Sequence, residues 1–433
     1  MALVSPKMPS RAALSAIAAG PVFIIFVSSN VVNAGNLLFN VLFSRWMGPE
    51  LFGELATVLT LKLAILGVLG ALQIAVSQRV ASAKEDETAP LETSLSRMGH
   101  VGFVLLWFLL PVVLAAAWVG DVGARLGLGS PVLLVLLGLS LPFAAPLSIL
   151  RGVALGRLDT RHVLLSANVE MLVRLLGAVL AWHAGFGLTG VVASIALSIV
   201  AGWVPLRGLL RRTANGPAEW TRVGRSIALA AIPFALLQAS QVVLLDGDVI
   251  LAKLALSADE AGYVAALSLF QRIQFFACFG LASVLLPAVS GAVSGGQSAV
   301  RPAAAVVGLF GCVSALVLGG SLLVPGQIIT LFVGPSFLPA QSVLSVAAAS
   351  SVAFTLSYLL ATYLSAIGDR SGIWLIVAAC PVQLAAMSAG AGSLFEMLEF
   401  KLVCQVLLAA LLVSRATWRT LCRFRLDSTP IPV

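Results

Sequence analysis

Two apolar runs near the start of this 433-residue chain decide its fold: PVFIIFVSSNVVNAGNLLFNVLF at residues 21–43 and LATVLTLKLAILGVLGALQIAV at residues 55–76. Each run has about the 20 residues that an α-helix needs to cross the roughly 30 Å apolar core of a bilayer. The segment between them is too short to form a domain. The two runs therefore predict a pair of neighbouring membrane-spanning helices.

Runs of the same kind continue along the whole chain. Hydrophobic residues make up 60% of it, charged residues only 10%, and the mean hydropathy is +1.05, whereas soluble domains carry about 25% charged residues. Twelve helical spans are predicted, at residues 21–43, 55–76, 101–119, 131–150, 163–182, 188–206, 227–245, 264–286, 303–324, 343–364, 373–391 and 394–413. The predicted fold class is an all-α polytopic membrane protein whose first helix is retained rather than cleaved.

Positive charges are distributed unevenly between alternate loops. If the N-terminus is cytoplasmic, nineteen Lys and Arg residues fall on the inner side, and only Arg45, Arg125, Lys253 and Lys401 fall on the outer side. Cytoplasmic loops of membrane proteins carry such an excess. The pattern predicts that both termini are cytoplasmic. It also accounts for the net charge of +8 without nucleic acid as a partner.

The second half of the chain repeats features of the first. The turn after the first span reads RWMGPELFGELA at 45–56, and the turn after the seventh reads KLALSADEAGYVA at 253–265. A second pair of turns, LGRLD at 155–159 and IGDR at 367–370, matches at nearly the same offset. Such repeats are typical of transporters whose substrate site lies between two lobes.

This repeat predicts two six-helix lobes related by a pseudo-two-fold axis along the membrane normal. The N-terminal lobe is predicted at 1–206 and the C-terminal lobe, with a short basic cytoplasmic tail, at 226–433. A basic cytoplasmic linker at 207–225 joins them.

Polar side chains within the spans are the candidates for a substrate site, because charged groups at mid-bilayer are costly and usually functional. On the first helix, Asn30, Asn33, Asn36 and Asn40 fall within a sector of about 120°. This sector predicts either a cavity wall for sugar hydroxyls or hydrogen bonds between helices. Lys62 on the second helix is a further candidate, although its side chain can also extend to the interface.

Charged residues within the spans also predict ion pairs. Glu170 and Arg174 stand four residues apart on the fifth helix and can pair with each other. Alternatively, the planar guanidinium of Arg174 can bind phosphate oxygens. In the second lobe Asp248 is predicted to pair with Arg272, and the alternative is a substrate or coupling-ion site that includes Asp246.

Motifs for catalysis are weak in this chain. Asp246-Gly247-Asp248 matches the D-x-D pattern that places two carboxylates on a divalent cation in sugar-nucleotide enzymes, but three residues are a poor match. No P-loop of the form G-x-x-x-x-G-K-[ST] occurs, and the three His and five Cys lack the spacing of a metal site. The sequence predicts a transporter rather than an enzyme, with no metal and no cofactor.

Several segments together resemble the Wzx-like polysaccharide flippases of the multidrug/oligosaccharidyl-lipid/polysaccharide exporter superfamily. The resemblance rests on four segments: 45–56, RGVALG at 151–156, 248–263, and LFVGPSF at 331–337. It implies a two-lobe flippase in the plasma membrane of a bacterium. That flippase would carry a polyprenyl-diphosphate-linked oligosaccharide from the inner to the outer leaflet by alternating access, next to glycan assembly enzymes. As contacts for the anionic head group it implies Arg174, Arg272, Lys62 and Arg45.

Three other functions stay open from the residues. A cation-coupled multidrug-type antiporter of the same superfamily would need a carboxylate in the cavity, which Glu170 or Asp246 could provide. A membrane glycosyltransferase or polymerase would use Asp246 and Asp248 on the outer face. A scaffold for a glycan assembly complex would need none of the buried charges.

Overall fold

The protein was analysed as a computed structural model that describes residues 21–209, 220–294 and 300–427. Predictions for residues 1–20, which include Lys7 and Arg11, and for most of the linker lie outside the described residues. Within the described ranges every regular element is helical, which confirms the predicted all-α polytopic fold class.

The helices follow the predicted apolar runs. They are α1 (Pro21–Ala81), α2 (Glu85–Val119), α3 (Val122–Arg125), α4 (Val132–Gly156), α5 (Thr160–His183), α6 (Gly187–Trp203), α7 (Trp220–Ala255), α8 (Ala258–Ser294), α9 (Val300–Leu323), α10 (Pro325–Phe332), α11 (Leu344–Ala366), α12 (Ser371–Ala389) and α13 (Leu394–Asp427). Two 3-10 helices, Val204–Leu206 and Pro335–Val343, follow α6 and precede α11.

Helix α1 contains two of the predicted spans. Its helical geometry is interrupted at Gly48, where φ is 71° and ψ is −179°, and Pro49 follows. A positive φ of this size is easily adopted only by glycine, so this one residue divides the element into two helices. Each half is long enough to cross a bilayer.

Ten of the described helices are long and apolar enough to cross a membrane. Counting α1 twice and adding α8, which contains the predicted span at 264–286, gives the twelve predicted spans. Large apolar side chains remain open to the surroundings, with Phe108 74%, Leu180 70% and Leu316 78% exposed. Such surfaces are typical of contact with lipid rather than water. The cytoplasmic placement of the termini stays a prediction.

Contacts divide the chain into two compact units. Unit 1 comprises the described residues within 21–39, 68–121 and 130–235, and unit 2 comprises those within 40–67, 122–129 and 236–427. Helices α1 and α7 contribute to both units. The units are therefore not the two lobes predicted from the sequence, and the lobe boundaries at 206 and 226 stay a prediction.

Unit 1 is built around close helix packing at small residues. Gly152 and Gly156 of α4 lie so near the second half of α1 that an added Cβ would approach the carbonyl oxygens of Gln73 and Ser77 to 2.7 Å. A glycine pair spaced by four residues lets helix backbones approach in this way within membranes. The same face buries Val76, together with Ala75, Leu91, Leu95, Ile149 and Val153.

Unit 2 has a larger core, formed by α8, α11 and α13. Its buried side chains include Phe275, Phe354, Leu364, Leu408 and Leu412. The Phe275 ring packs edge-on against Tyr358, with 5.3 Å between the ring centroids. Aromatic pairs of this geometry stabilise a core beyond the area that they bury. This core surrounds the charged residues that α7, α8 and α13 carry.

Candidate functional site

The interior of unit 2 contains an ion pair between Lys401 of α13 and Asp248 of α7. The Lys401 Nζ atom lies 2.6 Å from Asp248 Oδ2, and both side chains are 0% exposed. The same ammonium group donates to Gln271 Oε1 at 2.6 Å and to the Leu245 carbonyl at 2.8 Å. An ammonium group has three donors, so the hydrogen-bonding capacity of Lys401 is filled.

Amide side chains surround this pair and fix the segment of α7 beside it. Gln405, one turn after Lys401, donates to the Leu244 carbonyl at 2.7 Å and accepts from Ser350 at 2.5 Å. Gln383 of α12 donates to the same Leu244 carbonyl at 3.0 Å. Buried polar groups that are hydrogen-bonded in this way hold helices in one register.

A second ion pair joins α7 to α8. Arg272 Nε lies 2.7 Å from Asp246 Oδ1, and the guanidinium also donates to Thr60 of α1 at 3.1 Å. The predicted pair between Asp248 and Arg272 is therefore wrong: Arg272 binds Asp246, and Asp248 binds Lys401. The reason is geometric, since two residues spaced by two on a helix point about 160° apart.

Unit 1 contains a more exposed pair. Arg151 of α4 donates to Glu170 of α5 at 2.8 Å and to Ser166 at 2.8 Å, and Ser166 donates to the Gly202 carbonyl at 2.7 Å. The predicted interaction of Glu170 with Arg174 is present as an electrostatic one, and Glu170 also accepts this bond from another helix. The Arg174 guanidinium instead lies over the Phe39 ring, 5.9 Å from its centroid, within the range of a cation–π contact.

Comparison with known proteins finds similarity in structure only. No family model and no curated protein matches the sequence. An inward-facing multidrug resistance MATE family transporter of the MOP superfamily superposes with a TM-score of 0.79 at 13% identity, covering 92% of this chain and 96% of that chain. This chain has the MATE transporter fold.

Two further MATE-fold structures match with lower TM-scores. An outward-facing multidrug resistance MATE transporter gives 0.63 at 13% identity, over 93% of this chain and 94% of that chain. A MOP superfamily transporter from Pyrococcus furiosus, described as having a binding pocket of reverse polarity, gives 0.62 at 13% identity, over 92% and 94%. The likeness shows that this chain has the two-lobe fold of these transporters. The polysaccharide flippase stays a prediction from the sequence.

Within the MATE fold, Arg45 has a local structural role. Its guanidinium donates to the carbonyls of Thr330, at 3.1 Å, and of Leu331 in the last turn of α10. The last carbonyls of a helix lack partners within the helix, and a basic side chain satisfies them. These bonds engage the Arg45 guanidinium, which the sequence analysis predicted to contact a substrate.

The other predicted substrate residues lie in different environments. Lys62 is buried, at 4% exposure. Asn30 and Asn33 are exposed, and Asn36 is half-buried. Their contact with a substrate stays a prediction.

Lys401 is the charged residue that sequence reasoning missed. The loop count placed it outside the membrane, because it lies near the start of the last span. A signal was present: Lys401 and Gln405 stand four residues apart and share one face of the otherwise apolar stretch 400–413. A polar stripe of this kind must face protein.

The arrangement at Asp246 and Asp248 argues against a shared cation. Each carboxylate is bound to its own base, and the two point in different directions from α7. Among the described residues no group of three His, Cys, Asp or Glu side chains is placed to hold a metal ion. The D-x-D pattern therefore does not form the two-carboxylate site that a sugar-nucleotide enzyme needs.

Proposed function

We propose that the protein is a cation-coupled antiporter of the multidrug type, which exports amphiphilic substrates by alternating access. The observation that carries the proposal is the Asp248–Lys401 pair, completely buried in the membrane-spanning part of a MATE fold. Ionisable residues in such segments are expensive and mark ion or proton pathways. The names of the structural neighbours, multidrug resistance transporters, support the substrate class.

Coupling follows from the chemistry of the pair. The Asp248 carboxylate is neutralised by Lys401 when no ion is bound. A proton or Na⁺ that reaches the carboxylate competes with the ammonium group, and Lys401 must then find other partners. Gln271 contacts both members of the pair: its Oε1 accepts from Lys401, and its Nε2 lies 3.5 Å from Asp248 Oδ2. Its side chain is therefore placed to rearrange with the pair when an ion replaces the ammonium group. Ion binding would thereby change the contacts among α7, α8 and α13.

Three buried amide oxygens add acceptor capacity within unit 2. Gln241 Oε1, Gln274 Oε1 and Gln383 Oε1 have no hydrogen-bond partner among the described residues. Buried acceptors without partners are costly and call for a bound water or ion. Gln383 is attached to the Leu244 carbonyl beside the pair, which favours this region of unit 2 for the coupling ion.

The test uses purified protein in proteoliposomes with an imposed H⁺ or Na⁺ gradient and a fluorescent lipophilic cation as substrate. We expect gradient-driven uptake by the wild type. The charge-neutral double variant Asp248→Leu with Lys401→Met should lose the gradient dependence. The matched double variant in unit 1, Arg151→Gln with Glu170→Gln, should retain it.

Gradient-driven uptake that persists in the unit 2 double variant would overturn the coupling role of Asp248. Loss confined to the unit 1 double variant would assign coupling to Glu170 instead.

Arg174 favours a second candidate, the lipid-linked oligosaccharide flippase. Its guanidinium lies over the Phe39 ring, and a planar guanidinium suits the paired oxygens of an anionic diphosphate. In the same proteoliposomes, a labelled polyprenyl-diphosphate oligosaccharide tests this candidate. Translocation that is lost in Arg174→Ala would favour the flippase, with glycan assembly enzymes as partners. No translocation by the wild type would exclude it.

A further inference from the structure

A cavity lies in unit 1, apart from the residues that form the ion pairs. Its volume is about 610 Å³, and it is enclosed by α2, α4 and the end of α6. Residues 93–103 of α2 form one wall, and Trp203 and Arg207 form another. None of the residues used in the proposed antiport lines it.

The polar part of this cavity is cationic. Arg97, His100 and Arg207 line it, and within the part of the chain that the structure describes no acidic side chain does. The nearest acidic residue in sequence, Glu92, is paired with Arg157. Basic side chains without a neighbouring acid attract an anion, and arginine binds phosphate oxygens in pairs.

The remaining wall is apolar and aromatic. Phe103, Pro146, Ile149 and Leu150 line it beside Trp203. Phe143 packs between Phe103 and Trp203, with ring centroids 5.3 Å and 6.2 Å away. The Arg207 guanidinium lies over the Trp203 ring at 5.4 Å, so an aromatic surface orients the cation. Cationic and apolar walls in one cavity suit an amphiphile.

Depth along the helix places the cations at the membrane interface. A crossing takes about 20 residues, and α2 ends at Val119, so the apolar part of α2 starts close to His100. Arg97 then lies at head-group level and Phe103 at the first acyl carbons. Arg207 directly follows the span that ends at Leu206. Both arginines belong to the side that the loop charges predict to be cytoplasmic.

We propose that this cavity binds an anionic phospholipid, with its phosphate group between Arg97, His100 and Arg207 and an acyl chain along Phe103 and Leu150. Basic pockets between membrane helices on the cytoplasmic side bind anionic head groups in this manner. The proposal is independent of the transported substrate, because the coupling residues lie in unit 2.

The test measures lipid retention by the full-length protein in detergent, using native mass spectrometry with phosphatidylglycerol and phosphatidylcholine. The wild type should retain phosphatidylglycerol preferentially. The double variant Arg97→Gln with Arg207→Gln should bind it about thirtyfold more weakly, because each basic side chain near the membrane surface adds about 1 kcal/mol of attraction for anionic lipid. The control is Arg161→Gln with Arg225→Gln, which removes two exposed arginines outside the cavity and should bind as the wild type does.

A second pair of variants tests the cavity without removing charge. An added Cβ at Gly99 meets Ile149 and Pro146 at 3.7 Å and 3.8 Å, an ordinary contact, so Gly99→Ala should keep lipid binding. Gly99→Leu should fill the space and displace the lipid.

Equal retention of phosphatidylglycerol by the wild type and the arginine double variant would overturn the proposal, as would unchanged binding to Gly99→Leu. Competition by millimolar inorganic phosphate as effective as that by the lipid would assign the site to a soluble phosphate and would also overturn it.

Discussion

The two units hold similar ion pairs in different surroundings. In unit 2 both members of the Lys401–Asp248 pair are 0% exposed, whereas in unit 1 the Arg151 and Glu170 side chains are 21% and 13% exposed. Each pair joins two helices and has a polar neighbour, Gln271 in one case and Ser166 in the other. The difference is access to water. A charge left without its partner in unit 2 has no solvent to hydrate it. That pair is therefore better suited to couple ion binding to a change in helix contacts.

The largest effect is expected from breaking the buried pair in unit 2. Lys401→Met leaves the Asp248 carboxylate without its base, and removal of one partner of a buried pair costs about 3–5 kcal/mol. Adding Asp248→Leu should recover most of the lost stability, because a neutral apolar pair needs no compensation. Unfolding of the detergent-solubilised protein by denaturant measures both variants.

The control for this experiment is Lys84→Met, at an exposed position, which should change stability little. If Lys401→Met is no less stable than the double variant, the pair is not the buried, mutually dependent unit that the structure describes.

A smaller effect is expected for the pair in unit 1. Arg151→Met removes the base from Glu170, but the carboxylate keeps some access to solvent. We expect a loss of about 1–3 kcal/mol, the cost of leaving a hydrogen-bonded polar group unsatisfied. Measured beside Lys401→Met in the same assay, a loss as large as that in unit 2 would contradict the difference between the two surroundings. Arg161→Met provides the exposed arginine control.

The smallest effect is expected at the end of unit 2, where Asp369 precedes α12. Its carboxylate accepts from Arg419 at 2.6 Å and from Arg415 at 3.1 Å. Burial alone raises the pKa of Asp369, but the hydrogen bonds from Arg419 and Ser371 and the charge of Arg415 outweigh it and lower the pKa well below its usual range. Because Arg415 and Arg419 are 33% and 43% exposed, we expect a contribution of only about 1 kcal/mol.

The pH dependence of this contribution has a definite sign. A carboxyl group whose pKa is lowered by folding stabilises the fold above its unfolded pKa of about 3.9 and loses this effect as the pH falls. Asp369→Asn should therefore be less stable than the wild type at pH 7, and the difference should shrink below about pH 4. Unfolding curves at both pH values test this. A difference that is constant with pH would rule out the ion pairs as its source.

The sequence was sufficient to predict the helices, because a long apolar run that crosses lipid is stable as an α-helix. It also marked Glu170, Asp246, Asp248 and Arg272 as charges within the membrane. Their ion-pair partners on other helices could not be predicted from the sequence. Spacing along one helix is visible in a sequence, and it suggested Glu170 with Arg174. The bond that Glu170 accepts from Arg151 comes from another helix.

Lys401 shows a second limit of sequence reasoning. Counting charges by loops treats a lysine near the end of a span as part of the interface, since long side chains often reach it. Whether such a lysine turns outward or inward depends on the carboxylate that a neighbouring helix presents. Here Asp248 of α7 decides the outcome, and the pairing of α7 with α13 cannot be read from either helix alone.

The break in α1 at Gly48 has a consequence for how the protein is made. Only residues 44–54, which include Gly48 and Pro49, separate the two membrane-spanning stretches, so no long polar loop has to be moved across the bilayer ahead of the second stretch. We expect both halves to leave the insertion machinery together, as one hairpin. The φ of 71° at Gly48 is then needed during biosynthesis, before any of the ion pairs in unit 2 can form.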